Sequence, residues 1–419
     1  MKILKQFIAL LFMIVILSGC NVNKKESNVK EIEFWTLQLK SFAPYIQNII
    51  SKYEKQHPDV KIKWIDVPFT EGEKRALASI MSKKVPDLIN LNPDFASTLA
   101  SRGALLNLNK ELSPENKKTY LPQSWKYSQI NGNIFGIPWY ISTSVTFYNK
   151  EIFKKSGINV ENVPQNYDNI YDFSKKIDEN TGKYAFMPTL CENGYMLKVF
   201  NLNDSLEFND NKISINNKTN NETLKLFKKL YTQKLIPAES ITLGHRAALE
   251  KFMSGETSFI VSGGNFAKII KENSPLVYKN LGVTSQITGS NQKYDFSLMN
   301  LVIPLKSNYP KEALDFALFL TNPQNQLEFC KLAPILPSAQ KTLKSSFFTE
   351  EKNDLISKTR IISAKQLNNA ANPVPPMQNK SEINGVIDSM VQYAILGKKP
   401  TNKALSDAEK SINQILKEN

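Results

Sequence analysis

Histidine occurs twice in the 419 residues and cysteine three times. His57 and His245 lie far apart, and neither belongs to a pair with metal-ligand spacing, which argues against a zinc site. The same scarcity argues against a Ser-His-Asp nucleophile. Gly263-Gly264 lacks the spacing, and the following Lys-Ser or Lys-Thr, of a phosphate-cradling loop, so nothing points to nucleotide chemistry. Cys191 and Cys330 sit in TLCENG and EFCKLA. Those flanks show no disulfide framework and read as two free, packed thiols. Residues 7–17 (FIALLFMIVIL) form an unbroken apolar run of 11 residues. As a helix that run spans about 16 Å against a bilayer core of roughly 30 Å, too short to cross it.

What that run does resemble is an export signal. Lys2 and Lys5 precede it and LSGC follows it at residues 17–20, which together read as a signal peptide over 1–19 with a lipobox ending in Cys20. Acyl chains on Cys20 would tether the mature chain outside the cytoplasmic membrane, each buried CH₂ adding about 0.8 kcal/mol. Residues 20–30 are polar without periodicity and read as a flexible stalk. Removal of Lys2 and Lys5 lowers the formal charge from +14 to +12. The lysines are spread along the chain, with no arginine cluster and no aromatic-basic motif, so a solvated basic surface is expected and no nucleic-acid partner.

With 41% hydrophobic and 22% charged residues, the chain suits one large bilobal domain or two ordinary ones. Residues 31–35 alternate as a strand, 42–56 carry a helical apolar face, and 60–67 alternate again. A helix over 71–83 leads to a short apolar strand at 87–91, and Asn92-Pro93 reads as an N-cap with proline in the first turn. That order begins a doubly wound α/β fold. Asn131-Gly132 predicts a hairpin turn. Farther on, helices are expected over 169–177, 222–235, 311–320 and 403–416, and strands over 257–261, 281–284 and 298–303.

Aromatics beside small polar groups recur where strands end: Trp35 after the first, Asp94 after the third, Trp139 and Tyr140 after the hairpin, Asn265 and Phe266 after Ser262-Gly263-Gly264. In open α/β sheets ligands bind outside the carboxyl ends of the strands. Aromatic faces with polar neighbours suit sugar rings, whose C–H faces stack while their hydroxyls take hydrogen bonds. Simple core packing is the alternative for each aromatic taken singly. Paired carboxylates such as Glu192 and Asp94 also leave room for an envelope-anchored glycoside hydrolase.

Several stretches together carry a family resemblance: EIEFWT, YEKQHPDVKIKWIDV, PDLINLNPDFASTLASRGALLNLN, GIPWYISTSVTFYNKEIFKKSGI, FMSGETSFIVSGGNF and the tail ALSDAEKSINQIL. In this order, after a lipobox, the chain resembles the extracellular solute-binding proteins of bacterial ABC importers, in the sugar-binding group that includes maltodextrin-binding proteins. The resemblance implies a class II periplasmic-binding-protein fold of two α/β lobes that close over ligand by hinge motion. It implies a first lobe at 31–141 plus 296–332 and a second at 142–295 plus 333–419. It also implies a monomeric, non-enzymatic receptor without cofactor or metal, in the cell envelope, docking on permease subunits. Sugar-contacting positions would fall on Trp35, Gln38, Asp94, Ser142 or Thr143, the segment Glu192 to Tyr195, and Phe266. The residue pattern itself adds Trp139, Tyr140 and Asn265. Ser142 stands where many relatives have a carboxylate and Phe266 where many have tryptophan, so a non-sugar solute is the alternative ligand.

Overall fold

The computed structural model describes residues 29–417 apart from 83, 131, 161, 210, 211, 373, 375, 376 and 378. The signal peptide, Cys20 and nearly all of the stalk lie outside the described residues, as does Asn131.

Strand Lys30–Leu37 pairs in parallel with Val60–Val67 along its whole length, from Lys30 opposite Val60 to Leu37 opposite Val67. Between them, helix Ala43–Gln56 buries Tyr45, Ile46, Ile49 and Tyr53, the three- and four-residue spacing that folds it back on the sheet. Leu88–Leu91 pairs in parallel on the other side of the first strand. Asn92 then starts the next helix, its Oδ1 accepting the Phe95 N–H at 2.9 Å. The sheet has six strands in the order Leu336–Pro337, Ile137–Ser142, Ser297–Val302, Leu88–Leu91, Lys30–Leu37, Val60–Val67. Its later strands enter antiparallel. An aromatic core of Phe34, Tyr53, Trp139, Phe316 and Phe329 fills one face. Each such side chain contributes roughly 1.5–3 kcal/mol of burial.

A second sheet has Ser144–Asn149 at its centre, antiparallel to Phe259–Gly263 and Leu281–Ser285. Around it lie helices Tyr195–Leu202, Lys218–Thr232, Lys380–Ile395 and Thr401–Lys417, whose apolar stripes form the largest core of the chain. The last helix buries Ala404, Leu405, Ala408 and Ile412 on the stripe its sequence predicts.

Two crossings join the sheets. Thr143 separates Ile137–Ser142 in the first sheet from Ser144–Asn149 in the second. The way back runs from Leu281–Ser285 through residues 286–296, where the short strand Tyr294–Asp295 pairs with Ala370–Ala371, into Ser297–Val302. The return to the second lobe expected at 333 falls later. Leu336 and Pro337 still pair with Ile141 and Tyr140. Gln326 Oε1 holds the Ser338 N–H at 2.7 Å, and Ser338 Oγ donates to the Pro138 carbonyl at 2.7 Å.

Candidate functional site

The first crossing delivers three hydroxyl residues in a row, and a cavity of about 370 Å³ opens beside them, within the range usual for small-molecule sites. Ser142, Thr143 and Ser144 form one wall; Glu192, Tyr195, Lys198, His245, Ser262 and Phe266 come from the second lobe. Asp295 and Ser297 come from the return crossing, so both crossings border the cavity.

Glu192 is held in place by the start of helix His245–Met253, its Oε2 accepting the His245 backbone N–H at 2.8 Å. Gly244 makes this approach possible, because a Cβ there would lie 2.2 Å from Glu192 Oε1. The His245 ring meets Ser262 Oγ through Nε2 at 2.9 Å and turns its edge to Phe266, centroids 5.3 Å apart at 73°. Burial pulls the His245 pKa below the ordinary histidine value, with Lys198 acting the same way and Glu192 opposing both. A serine, a histidine and a glutamate therefore meet here without forming a nucleophilic triad. The glutamate binds the peptide N–H, whereas a relay needs the carboxylate on the imidazole.

Opposite them, Tyr167 and Tyr195 share a hydroxyl contact at 3.2 Å. Burial raises both phenol pKa values, so both stay neutral hydrogen-bonding groups. Lys198 projects from helix Tyr195–Leu202 onto Asp295 Oδ2, which also accepts Ser144 Oγ at 3.0 Å. Burial alone would drive the Lys198 pKa down, but the Asp295 charge and Tyr195 outweigh it and hold the value above that of an ordinary lysine. The assembled wall carries carboxylates, neutral hydroxyl groups and the rings of Phe266 and Tyr195. Those are the groups that bind a neutral, many-hydroxyl ring.

Of the positions predicted from sequence, Ser142, Thr143, Glu192, Tyr195 and Phe266 converge on this cavity. Asn265 instead borders a second cavity of about 270 Å³, with Lys268, Arg360 and Phe347, that shares only Ser142 and Thr143 with the first. Trp139 departs most from expectation. It is 0% exposed, stacked on Phe329 at 5.5 Å and tilted on Phe34 at 6.2 Å, with no face open to a ligand. In the strand Ile137–Ser142 the pairing with Ser297–Val302 shifts register between Met299 and Asn300, so Trp139 is the bulged residue and packs, like its neighbour Tyr140, against Phe329. Tyr140 packs edge-on against the same Phe329 and lies off the cavity wall. Trp35 donates its indole N–H to Glu33 at 2.8 Å, and exposed Gln38 ends the first strand at φ +56°. Neither borders either cavity. Asp94 engages Lys380 Nζ at 2.6 Å, a bond from the first lobe to helix Lys380–Ile395 of the second.

Sequence reading passed over Lys198, Asp295 and Tyr167. Lys198 did carry a signal: it is the one charged residue in YMLKVFNL, a helix that buries Met196, Leu197, Val199, Phe200 and Leu202. A charge set among buried apolar neighbours needs a partner. Cys191 and Cys330 are free thiols, with burial pushing the Cys191 pKa up to about 12.

Comparison with known proteins agrees with this architecture. The profile of the family described as bacterial extracellular solute-binding protein matches residues 38–327. A galactooligosaccharide-binding protein of Bacillus subtilis (strain 168) is 23% identical over 94% of this chain and 91% of its own. An arabinooligosaccharide-binding protein of the same organism is 26% identical over 240 residues, 55% of each chain. Among solved structures, a periplasmic-binding protein from Synechococcus sp. MITs9220 superposes with a TM-score of 0.85 at 29% identity, covering 92% of this chain and 99% of that one.

Proposed function

The chain belongs to the bacterial extracellular solute-binding proteins, and from that premise we propose that it captures a saccharide in the cleft beside the hinge and delivers it to an ABC permease. The observation that carries the saccharide half is the lining of the 370 Å³ cavity, where the aromatic residues Phe266 and Tyr195 stand with Glu192, Asp295 and a row of hydroxyls. Ring stacking contributes on the order of 1 kcal/mol per contact, and the acceptors orient the hydroxyls. The oligosaccharide ligands named for two relatives favour the same class. The protein acts as a receptor and not as an enzyme, anchored outside the cytoplasmic membrane through lipid on Cys20 and docking as a monomer.

Titration calorimetry with arabino-, galacto- and malto-oligosaccharides tests the ligand class. At least one is expected to bind and to be recovered uncleaved; a ligand at 100 times its Kd then adds about 2.7 kcal/mol to folding stability. Release of shorter sugars would instead establish a hydrolase. Tight binding of a peptide or polyamine, with no sugar bound, would overturn the saccharide reading.

A further inference from the structure

The second cavity differs from the first in its charge. Its space of about 270 Å³ is bordered by Lys331 from the first lobe, by Ser142 and Thr143 of the crossing, and by Asn265, Lys268 and Arg360 from the second lobe. No aspartate or glutamate stands among its lining residues, whereas Glu192 and Asp295 both border the first cavity. The acids nearest those cations are engaged outside it. Glu272 lies 3.8 Å from Lys268, with both side chains exposed. Glu328, one turn before Lys331, pairs with Lys52 at 2.9 Å. Asp354 caps helix Leu355–Gln366, accepting the Ser357 N–H at 2.8 Å.

Arg360 is the fixed member of the set. Its Nε donates to the Phe347 carbonyl at 2.6 Å, and its guanidinium carbon lies 3.8 Å from the centre of the Phe347 ring. Its two terminal nitrogens have no hydrogen-bond or ion-pair partner among the described residues. Burial works against the charge and Asp354 supports it, and a guanidinium stays protonated in either case. A half-buried guanidinium held in this way presents the planar fork that binds a carboxylate through two parallel N–H···O bonds. Asn265 stands at the start of helix Phe266–Asn273 without capping it, so its amide is uncommitted too. We propose that the second cavity binds a carboxylate-bearing group about the size of one sugar-acid residue, held by Arg360 and Asn265, with Lys268 and Lys331 drawing it in. The size follows from a volume just below the range of ordinary small-molecule sites. The carboxylate is either a free acid or the terminal uronate of a saccharide in the first cavity, since Ser142 and Thr143 border both. The site itself does not depend on the saccharide reading, although the second source does.

Calorimetry with galacturonate and galactose, which differ only at C6, tests the site. Galacturonate is expected to bind at least about tenfold more tightly than galactose, and Arg360→Gln to weaken it about 10- to 100-fold, the usual effect of losing a hydrogen bond to a charged group. Arg360→Lys keeps the charge without the fork and should recover only part of that affinity. Urea midpoints check that both variants fold. If they do not, Lys268→Gln with Lys331→Gln, at two exposed positions, takes their place and should weaken galacturonate and flatten its salt dependence. The two sources separate when the best-binding neutral oligosaccharide is present at saturation. Undiminished galacturonate binding then identifies a free acid. Lost binding, together with tighter binding of a galacturonate-terminated oligosaccharide than of its neutral counterpart, identifies an acid carried on the sugar; lost binding without that gain overturns the site. Equal affinity for galacturonate and galactose, no effect of the substitutions, or binding of inorganic phosphate in place of the uronate also overturns it, and leaves the saccharide reading intact. A wild type that binds galacturonate but no neutral sugar would support the site while overturning the reading of the first cavity.

Discussion

His245 shows how much a single side chain in this wall depends on its surroundings. Half-buried against Ser262 and Phe266, it has a pKa below the ordinary value chiefly through its burial, with Glu192 pulling the other way and Lys198 adding to the lowering. The unfolded chain therefore takes up the proton first, at about pH 6.5. Stability is full above that pH and falls as the pH drops through it toward the lower folded-state pKa. Urea midpoints measured between pH 7.5 and 5.5 should fall more steeply for the wild type than for His245→Asn; parallel slopes would show that the imidazole is not titrating from a buried neutral form. The sequence offered little guide to this residue, since neither its contact with Ser262 nor the seating of Glu192 on its peptide N–H is local. By contrast Ser142, Thr143, Glu192, Tyr195 and Phe266, which line the cavity, were all marked by the resemblance, and Phe266 also by its place after a strand. Asp295 was missed because its character comes from Lys198, 97 positions earlier.

At the scale of elements, period and capping carried most of the information. The strand predicted over 60–67 is Val60–Val67, and Asn92 and Asn322 cap their helices through Phe95 and Asn325. Two-residue strands such as Leu336–Pro337 have no period to read, so the end of the first sheet was placed too early. The strand Ile137–Ser142 gives the sharper lesson. The register shift that seats Trp139 in the core is not local to the strand, and Phe34 and Phe329, which meet it there, arrive from elsewhere in the chain. Trp139 consequently belongs to packing. Trp139→Ala should cost about 3–5 kcal/mol of stability in urea unfolding, while the folded fraction keeps wild-type affinity for its ligand. A large loss of affinity with little loss of stability would return Trp139 to the binding surface.

The whole molecule also joins the lobes through an ion pair between two helices. Asp94, in the first turn of Pro93–Ser101, meets Lys380, in the first turn of Lys380–Ile395, at 2.6 Å. Neither helix shares a sheet or a core with the other: one packs beside the first sheet, the other within the largest core of the second lobe. Resemblance had marked Asp94 as a ligand contact, but its lysine partner follows only from the arrangement of the lobes. The pair is 30% and 23% exposed at its side chains; that leaves solvent screening in force, so it is worth about 1 kcal/mol. We read it as a contact that forms only when the lobes approach, and so as a bias toward the closed form. About 1 kcal/mol corresponds to roughly a fivefold change in a two-state equilibrium. Lys380→Met should therefore enlarge the radius of gyration of the ligand-free protein in small-angle scattering. It should also weaken binding of its best ligand by a few-fold. An unchanged scattering profile would mean that the ion pair does not hold the lobes together.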